Sequence, residues 1–255
     1  VMGAYNGWER ANWFAKAGDD ISLESTHTWS RNGPWEQRIR EECEAVRDAC
    51  GVLNLPGFSR FTLKGDGASD FLRGFCTGAL PKIGRMNLIY VADKRGRILT
   101  EMSCIRLAEE SFMLITAATA QWHDKELIEA SVPDNIHFED VTILQDTLIV
   151  TGPQSREILS KISNADLSLA WLTHQQAEVV DKSVYLLRVS FAGELGWEIH
   201  ASNNDMPKIY QSLLDHGATP FGMYALNSLR LEKGYRAWKG DLSTDYSMFE
   251  GGLDR

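Results

Sequence analysis

The sequence predicts an α+β protein, on two observations. Several segments with strand alternation are followed, after a glycine turn, by a segment with helical spacing, and two stretches have the strand–turn–strand pattern of a hairpin. Of the 255 residues, 44% are hydrophobic and 24% are charged, which is the ordinary balance of a globular protein. A chain of this length buries about three quarters of the surface that it exposes when unfolded, so a substantial core is expected.

The first predicted elements are a helix, a strand and a second helix. A helix is predicted between 35 and Gly51, because apolar side chains recur there at helical spacing, at Ile39, Cys43, Val46 and Cys50. The alternation over 60–64 predicts a strand, and glycines at 65 and 67 predict a turn after it. The second helix follows that turn, with apolar positions at Ala68, Phe71, Leu72 and Phe75.

A hairpin is predicted over 88–107, with its turn at 93–96. The next predicted elements are a strand, a helix and two strands, at 112–116, 120–130, 141–144 and 147–151. The stretch 184–200 has the pattern of strand, glycine turn and strand, and 205–216 that of a helix. The lead segment 1–35 has no clear period and contains Trp8, Trp13, Trp29 and Trp35. We therefore predict an irregular Trp-rich lead segment over 1–35, which packs its tryptophans, and a domain over 36–255.

One internal similarity points to duplication. The pattern Phe61-x-Leu63-x-Gly65-x-x-Ala68 resembles Leu148-x-Val150-x-Gly152-x-x-Ser155, and the offset is 87 residues throughout. Each copy predicts a strand, a glycine turn and a helix. The sequence alone leaves two interpretations open, a coincidence between ordinary strand–helix units and a duplicated unit whose two sheets meet.

Charge and composition exclude several classes of function. The net charge of −9 argues against non-specific nucleic-acid binding, which needs a basic face. The apolar runs are far shorter than the roughly 20 residues of a membrane-spanning helix. The four cysteines form no CxxC pair, so we expect buried free thiols and no metal site.

Three glutamates are candidates for chemistry. Glu101 lies in the returning strand of the hairpin, on the side of Leu99, Ser103 and Ile105. A carboxylate on such an apolar face invites a raised pKa and an acid, base or cation-stabilising role, and the alternative is a strand-edge residue facing water. Glu194 and Glu198 flank Gly196 and Trp197, and a carboxylate can accept paired hydrogen bonds from an aminopyrimidine edge such as a pterin offers. Trp197 then either stacks on a flat ring or belongs to the core, and the two glutamates are either ligands or solvated turn charges.

A basic cluster and an isolated histidine have less specific patterns. Cations recur at Arg230, Lys233, Arg236 and Lys239, which suits either an anionic tail or a solvated helix face. His123 is expected to cap or pack. The motifs of serine hydrolysis, zinc catalysis and dinucleotide binding are absent.

Several runs occur in one order along nearly the whole chain: Gly7-Trp-Glu-Arg with Trp13-Phe14, Glu42-Cys-x-x-Val46-Arg47, Lys64-Gly-x-Gly-Ala-x-x-Phe71-Leu72, Gly193-Glu-Leu-Gly-Trp-Glu198 and Ala225-Leu-Asn-Ser-Leu-Arg-Leu-Glu-Lys-Gly-Tyr235-Arg236. In this order they resemble the folate-binding aminomethyltransferase family, whose type member is the glycine cleavage T-protein. The first and last runs are similar to the C-terminal half of dimethylglycine and sarcosine dehydrogenases.

The resemblance implies a fold of duplicated ferredoxin-like units around a central folate-binding site. The family's hairpin aspartate, close to the reactive folate nitrogens, corresponds to Glu101, which is longer by one methylene. The family's pterin-binding glutamate corresponds to Glu198, and a tyrosine before that turn is replaced by Phe191. The predicted cofactor-binding residues are thus Glu198 and Phe191, together with Glu194, Trp197, Tyr90 and Arg230.

The leading functional hypothesis is therefore tetrahydrofolate-dependent one-carbon transfer with Glu101 as the catalytic residue. It would capture the carbon released in oxidative demethylation of dimethylglycine or sarcosine as 5,10-methylene-tetrahydrofolate. Two alternatives stay open, a folate-dependent demethylase of another methyl donor and a catalytically inactive regulatory domain that binds folate or a partner. The changes at Glu101 and Phe191 motivate the second alternative.

The resemblance also implies parts that these residues do not contain. The family continues past the position of Arg255 into a small β domain, and the dehydrogenases carry a flavin domain before the position of Val1. We therefore expect a piece of a longer protein or an associated flavin domain, with FAD bound only there. The expected compartments are a bacterial cytoplasm or a mitochondrial matrix, with no nucleic-acid or membrane partner.

Overall fold

The computed structural model describes residues 1–5, 8–26 and 33–253 and confirms the α+β class. In the described part of the chain, the strands are β1 (Met2–Tyr5), β2 (Trp8–Ala11), β3 (Gly51–Asn54), β4 (Phe58–Lys64), β5 (Met86–Ala92), β6 (Ile98–Ala108), β7 (Ser111–Ala117), β8 (His137–Asp140), β9 (Gln145–Thr151), β10 (His174–Val179), β11 (Lys182–Leu187), β12 (Gly196–Ser202) and β13 (Thr219–Pro220). The α-helices are α1 (Leu23–Thr26), α2 (Glu36–Asp48), α3 (Ala68–Phe75), α4 (Gln121–Glu129), α5 (Ser155–Ile162), α6 (Met206–Asp215) and α7 (Met223–Glu232).

Two sheets form the body, and each contains a ferredoxin-like unit. Sheet 1 has the order β5-β6-β7-β4-β8, in which β4, β6, β7 and β8 are the first, second, third and fourth strands of the unit and β5 is an added edge. Sheet 2 has the order β10-β11-β12-β9-β3-β13 and repeats this arrangement. Its first, second, third and fourth strands are β9, β11, β12 and β13, and β10 is the added edge. There β3, which precedes the first unit in the chain, pairs with β9 and displaces β13 by one place.

The structure confirms the strand–helix repeat found in the sequence. Strand β4 begins at Phe58 and β9 at Gln145, and helix α3 begins at Ala68 and α5 at Ser155, each 87 residues later. The ends of these strands and helices have the same offset. The two sheets are therefore built from corresponding units, and their first strands occupy corresponding places.

Side-chain alternation divides each sheet into an outer and an inner face. On the outer face of sheet 1, Phe61 and Leu63 pack with α3 residues in one buried cluster. On the outer face of sheet 2, Leu148 and Val150 do the same with α5 and α6. The inner faces meet each other through a cluster that joins Met86, Ile105, Met113 and Ile115 of sheet 1 to Leu187 of sheet 2. The inner face of sheet 1 therefore packs on part of the inner face of sheet 2, by the alternation of side chains along each strand.

Helices α2 and α7 cover the part of sheet 2 formed by β3 and β9, with Val46, Ile149 and Leu229 in a shared cluster. The end of α2 comes so close to the turn after β9 that this turn requires glycine. Gly152 has φ +125°, and a Cβ there would lie 2.5 Å from the carbonyl oxygen of Ala49. A side chain would clash with backbone, so the close approach depends on Gly152.

The prediction of a strand at 141–144 is wrong. The strand β8 comes earlier, and Thr142–Leu144 form a 3₁₀ turn. The cause is local: the Asp140 carboxylate accepts a hydrogen bond from the backbone N–H of Thr142 at 3.0 Å, which turns the chain out of the strand. Ile143 and Leu144 are exposed as a result, although their apolar character suggested a buried strand.

The lead segment is more regular than predicted, because β1 and β2 form an antiparallel hairpin. Trp13 is buried and Trp35 is partly buried, whereas Trp29 and the side chain of Trp8 lie outside the described residues. The four cysteines are free, as expected, and Cys43 alone of them is only partly buried. Burial raises the pKa of Cys50 to about 12. The division at residues 35 and 36 stays a prediction.

Candidate functional site

Glu101 lies on the inner face of sheet 1, in the interior of the sheet. Strand β6 is flanked by β5 and β7, so Glu101 is not the water-facing edge residue of the alternative interpretation. Met102 and Cys104 on the same strand belong to the outer-face cluster, and the alternation of side chains therefore points Glu101 inward. Burial raises the pKa of Glu101, and the Tyr90 hydroxyl acts in the opposite direction by stabilising the carboxylate.

Tyr90 is the residue directly opposite Glu101 in the pairing of β5 with β6. Burial raises the pKa of the Tyr90 phenol, the negative charge of Glu101 raises it further, and the guanidinium of Arg236 acts against both. Tyr90 therefore stays protonated and can donate to Glu101. The groups that act on this phenol thus include a cation from the segment after α7.

Glu198 lies on the inner face of sheet 2, where it is held by a histidine. Trp197 and Ile199 on either side of it belong to the outer-face cluster. The carboxylate oxygen Oε2 of Glu198 is 3.0 Å from Nε2 of His200, and the side chain of Glu198 is only 13% exposed. His200 is buried, and its Nδ1 lies 3.1 Å from the hydroxyl of Thr147 on β9.

The network continues across the sheets to Arg60. One guanidinium nitrogen of Arg60, on β4, donates to the Thr147 hydroxyl, and another donates to the carbonyl oxygens of Phe58 and Gln145 at 2.9 and 3.1 Å. Arg60 is fully buried, and this burial lowers its pKa, while the charges of Asp146 and Glu198 act against that lowering. A buried arginine of sheet 1 is thus connected through Thr147 and His200 to the carboxylate of Glu198.

The turn before β12 is in contact with the residues that follow α7. Lys233 makes an ion pair with Glu194, with Nζ 3.3 Å from Oε1. Gly193 has φ +80°, and a Cβ there would lie 2.3 Å from the Lys233 side chain. Phe191 in the same connection stacks on Tyr235, with ring centroids 6.2 Å apart and an angle of 17° between the planes. Lys233 and Tyr235 therefore hold the residues that lead into β12.

Two of the residues expected at the site have other surroundings. Trp197 is fully buried in the outer-face cluster, since the alternation that turns Glu198 inward turns Trp197 outward, so its ring does not stack on a ligand between the sheets. Instead Arg188 lies over the Trp197 ring, 4.9 Å from its centroid. Arg230 is buried and donates to Asn227, to the Tyr235 carbonyl and to Asp241. These bonds engage most of the donors of Arg230 within the protein, and its place at an anionic tail stays a prediction.

The structure therefore brings Tyr90 and Glu101 together on sheet 1 and places Glu198 on the facing side of sheet 2. Sequence reasoning missed Arg60 and His200 as parts of this region, and it named Arg236 only as one cation of the basic cluster. The signals were present: His200 is two residues after Glu198 and so shares its face, and Arg60 lies 87 residues before Thr147, the offset of the repeat. Helix α7 ends at Glu232, so Arg236 and Lys239 do not belong to a helix face.

Over the described ranges 1–5, 8–26 and 33–253, the structure contains no cluster of three His, Cys, Asp or Glu side chains suited to a metal ion. Over the same ranges, no helix has the length and apolar character needed to cross a membrane.

The fold and the site together define an aminomethyltransferase-type domain. The model of the GCVT N-terminal domain matches residues 1–255, and the chain belongs to this family. It is 32% identical to mitochondrial dimethylglycine dehydrogenase of Rattus norvegicus, over 99% of this chain and 30% of that relative. It is 27% identical to an aminomethyltransferase of Saccharopolyspora erythraea, over 89% of this chain and 66% of that relative.

A solved structure confirms the fold. The glycine cleavage system aminomethyltransferase T from Bartonella henselae matches with a TM-score of 0.78 and 23% identity, over 97% of this chain and 63% of that one. The chain thus spans about 30% of the length of the dehydrogenase and about two thirds of the length of the aminomethyltransferases.

Proposed function

We propose that this chain is a tetrahydrofolate-dependent one-carbon transfer domain. It captures the carbon released in oxidative demethylation of an N-methylated glycine, dimethylglycine or sarcosine, as 5,10-methylene-tetrahydrofolate. The observation that carries the proposal is the placement of two carboxylates, Glu101 and Glu198, on the inner faces of two sheets in a chain of the GCVT family. The similarity to a dimethylglycine dehydrogenase over 99% of the chain supports the N-methylated glycine as the source of the carbon.

The surroundings of Glu198 fit the pterin of a folate. His200 occupies Oε2 of Glu198, whereas Oε1 has no protein partner among the described residues. A carboxylate with one oxygen fixed and the other free can accept hydrogen bonds from the adjacent N–H groups of an aminopyrimidine edge. Glu198 would therefore hold and orient the pterin. Glu194 shapes the turn before β12 through its ion pair with Lys233.

Tetrahydrofolate, when bound, supplies the nucleophilic nitrogens that accept the one-carbon unit. Glu101 would take up a proton at its carboxylate and, in its ionised form, stabilise positive charge beside it. Its raised pKa suits this role, since a general base works best when its pKa lies near the working pH. The Tyr90 hydroxyl orients the carboxylate, and it keeps its own proton because its pKa is raised.

A flavin domain is the proposed partner. Oxidation of an N-methyl group has to precede the transfer, and that step requires a redox cofactor. The similarity to part of a dehydrogenase supports a flavin domain, in the same polypeptide or associated with it, that binds FAD and supplies the activated carbon.

Turnover of Glu101→Gln tests the proposed function. We expect the wild-type chain to accelerate formation of 5,10-methylene-tetrahydrofolate from formaldehyde above the uncatalysed rate, and Glu101→Gln to lower kcat by about 100-fold or more. The folate Kd should change little. Glu129→Gln, on the exposed side of α4, is the matched control and should keep the wild-type rate. A folded wild-type chain that binds folate without accelerating the reaction would instead support the regulatory alternative.

A further inference from the structure

We propose that His200 is a positioning residue that presents a single N–H to Glu198, and that Arg60 sets the proton on the correct ring nitrogen. The inference rests on the proposed function, because the role of Glu198 in holding the pterin belongs to that proposal. It adds that a buried residue of sheet 1, Arg60, controls the orientation of the Glu198 carboxylate on sheet 2.

The guanidinium of Arg60 can only donate hydrogen bonds. It donates to the Thr147 hydroxyl, so that oxygen is an acceptor in this contact. The hydroxyl has one hydrogen, and the remaining partner of Thr147 Oγ1 among the described residues is Nδ1 of His200, at 3.1 Å. The hydroxyl therefore donates to Nδ1, which must be the unprotonated ring nitrogen.

With Nδ1 unprotonated, the imidazole carries its proton on Nε2. That N–H faces Oε2 of Glu198 at 3.0 Å and donates to it. The other neutral tautomer would leave the buried Thr147 hydroxyl hydrogen without an acceptor and would set a lone pair against the carboxylate. The unpaired hydroxyl hydrogen and the repulsion between lone pair and carboxylate are both costly in the protein interior, and His200 is only 1% exposed.

Strand geometry makes the arrangement rigid. Thr147 and His200 are direct partners in the pairing of β9 with β12, and Glu198 lies two residues before His200 on the same face. Arg60 donates to the Phe58 carbonyl oxygen of its own strand β4 and to the Gln145 carbonyl oxygen of β9 on the facing sheet. Backbone contacts thus fix the position of each residue in this series of hydrogen bonds. Glu198 is therefore oriented before a ligand binds, which lowers the entropic cost of binding.

Nitrogen-15 NMR of the imidazole tests the proton position directly, without any ligand. We expect Nε2 of His200 to be protonated and Nδ1 unprotonated in the wild-type chain, with the signals assigned by comparison with His200→Gln. Thr147→Val removes the donor to Nδ1 and should increase the population protonated at Nδ1. A wild-type imidazole protonated at Nδ1, or a spectrum that Thr147→Val leaves unchanged, would overturn the inference.

Tetrahydrofolate affinity tests the consequence for Glu198. His200→Phe should weaken Kd by about 10- to 100-fold, the usual value of a hydrogen bond to a charged group. His200→Gln keeps a donor at the place of Nε2 and should recover most of that loss. In a Glu198→Gln background, His200→Phe should have little further effect, because His200 acts through Glu198.

The outcomes separate the two proposals. Additive effects of His200→Phe and Glu198→Gln would show that His200 does not act through Glu198 and would overturn the inference about His200 alone. Failure of the folded wild-type chain to bind tetrahydrofolate would contradict the proposed function, and the NMR result would still decide the hydrogen-bond chain. Control variant His216→Gln, on an exposed helix end, should leave both the tautomer of His200 and Kd unchanged.

Discussion

Replacing Arg60 should cost the fold more than replacing any exposed arginine. Arg60 is fully buried and donates to the carbonyl oxygens of Phe58 and Gln145 and to the Thr147 hydroxyl. Arg60→Met keeps an unbranched apolar stem but leaves these three acceptors without their donor. Each hydrogen bond to a charged group contributes about 1.5–3 kcal/mol, which gives an upper bound of roughly 4.5–9 kcal/mol for the loss.

Part of that loss is offset, because burying the charge is itself costly. The lowered pKa of Arg60 reflects this desolvation, and methionine removes it. We expect a net destabilisation of about 3 kcal/mol, which corresponds to a fall in Tm of roughly 6–12 °C for a chain of this size.

Urea denaturation measures this loss as a lower midpoint at an unchanged m value. The matched control is Arg40→Met, which removes an exposed pair with Glu36 on α2 at 2.8 Å. Such a pair contributes about 0.5 kcal/mol or less. Equal stability of Arg60→Met and Arg40→Met would refute the conclusion that the hydrogen bonds of buried Arg60 stabilise the fold.

Three further substitutions give separate expected outcomes. Burial raises the pKa of Glu101, so the stability of the folded chain falls as the pH rises from 4.5 through that raised pKa; Glu101→Gln should therefore raise the urea midpoint at pH 7.5, and the gain should shrink toward pH 4.5. A gain independent of pH would contradict this. Gly152→Ala should lose about 2–4 kcal/mol, because of its positive φ and the Ala49 carbonyl, whereas Gly57→Ala, with open space around it, should be near neutral in the same assay. Trp197→Leu should lose about 3 kcal/mol on thermal unfolding and leave the tetrahydrofolate Kd nearly unchanged; a large loss of affinity in a stable variant would argue for ring stacking instead.

Much of the fold could be predicted because it follows local periodicity. The alternation over 60–64 and the helical spacing after Ala68 recur 87 residues later, and both copies form the predicted strand and helix. The strand at 141–144 was wrong because a single side-chain hydrogen bond from Thr142 to Asp140 outweighs apolar character there. Such a turn depends on the conformation of one side chain, which periodicity does not contain.

The site was predictable only in its inward-facing carboxylates. Period two places Glu198 inward and also places Trp197 outward, so the expectation of a stacking Trp197 conflicted with the alternation that supports Glu198. The surroundings of Glu101 and Glu198 depend on contacts between residues far apart in the chain. Arg60 reaches Thr147, and Lys233 crosses Gly193, only after the sheets and α7 have packed together.

Calorimetric titration of reduced tetrahydrofolate into the wild-type chain and into Glu198→Ala tests the central claim most directly. We expect saturable binding by the wild-type chain and a loss of about 100-fold or more in affinity for Glu198→Ala, since that variant removes the carboxylate proposed to hold the pterin. Glu129→Ala removes a carboxylate from the exposed side of α4, and this variant should bind like the wild-type chain. Equal affinity of the wild-type chain and Glu198→Ala, or no binding by a folded wild-type chain, would contradict the account.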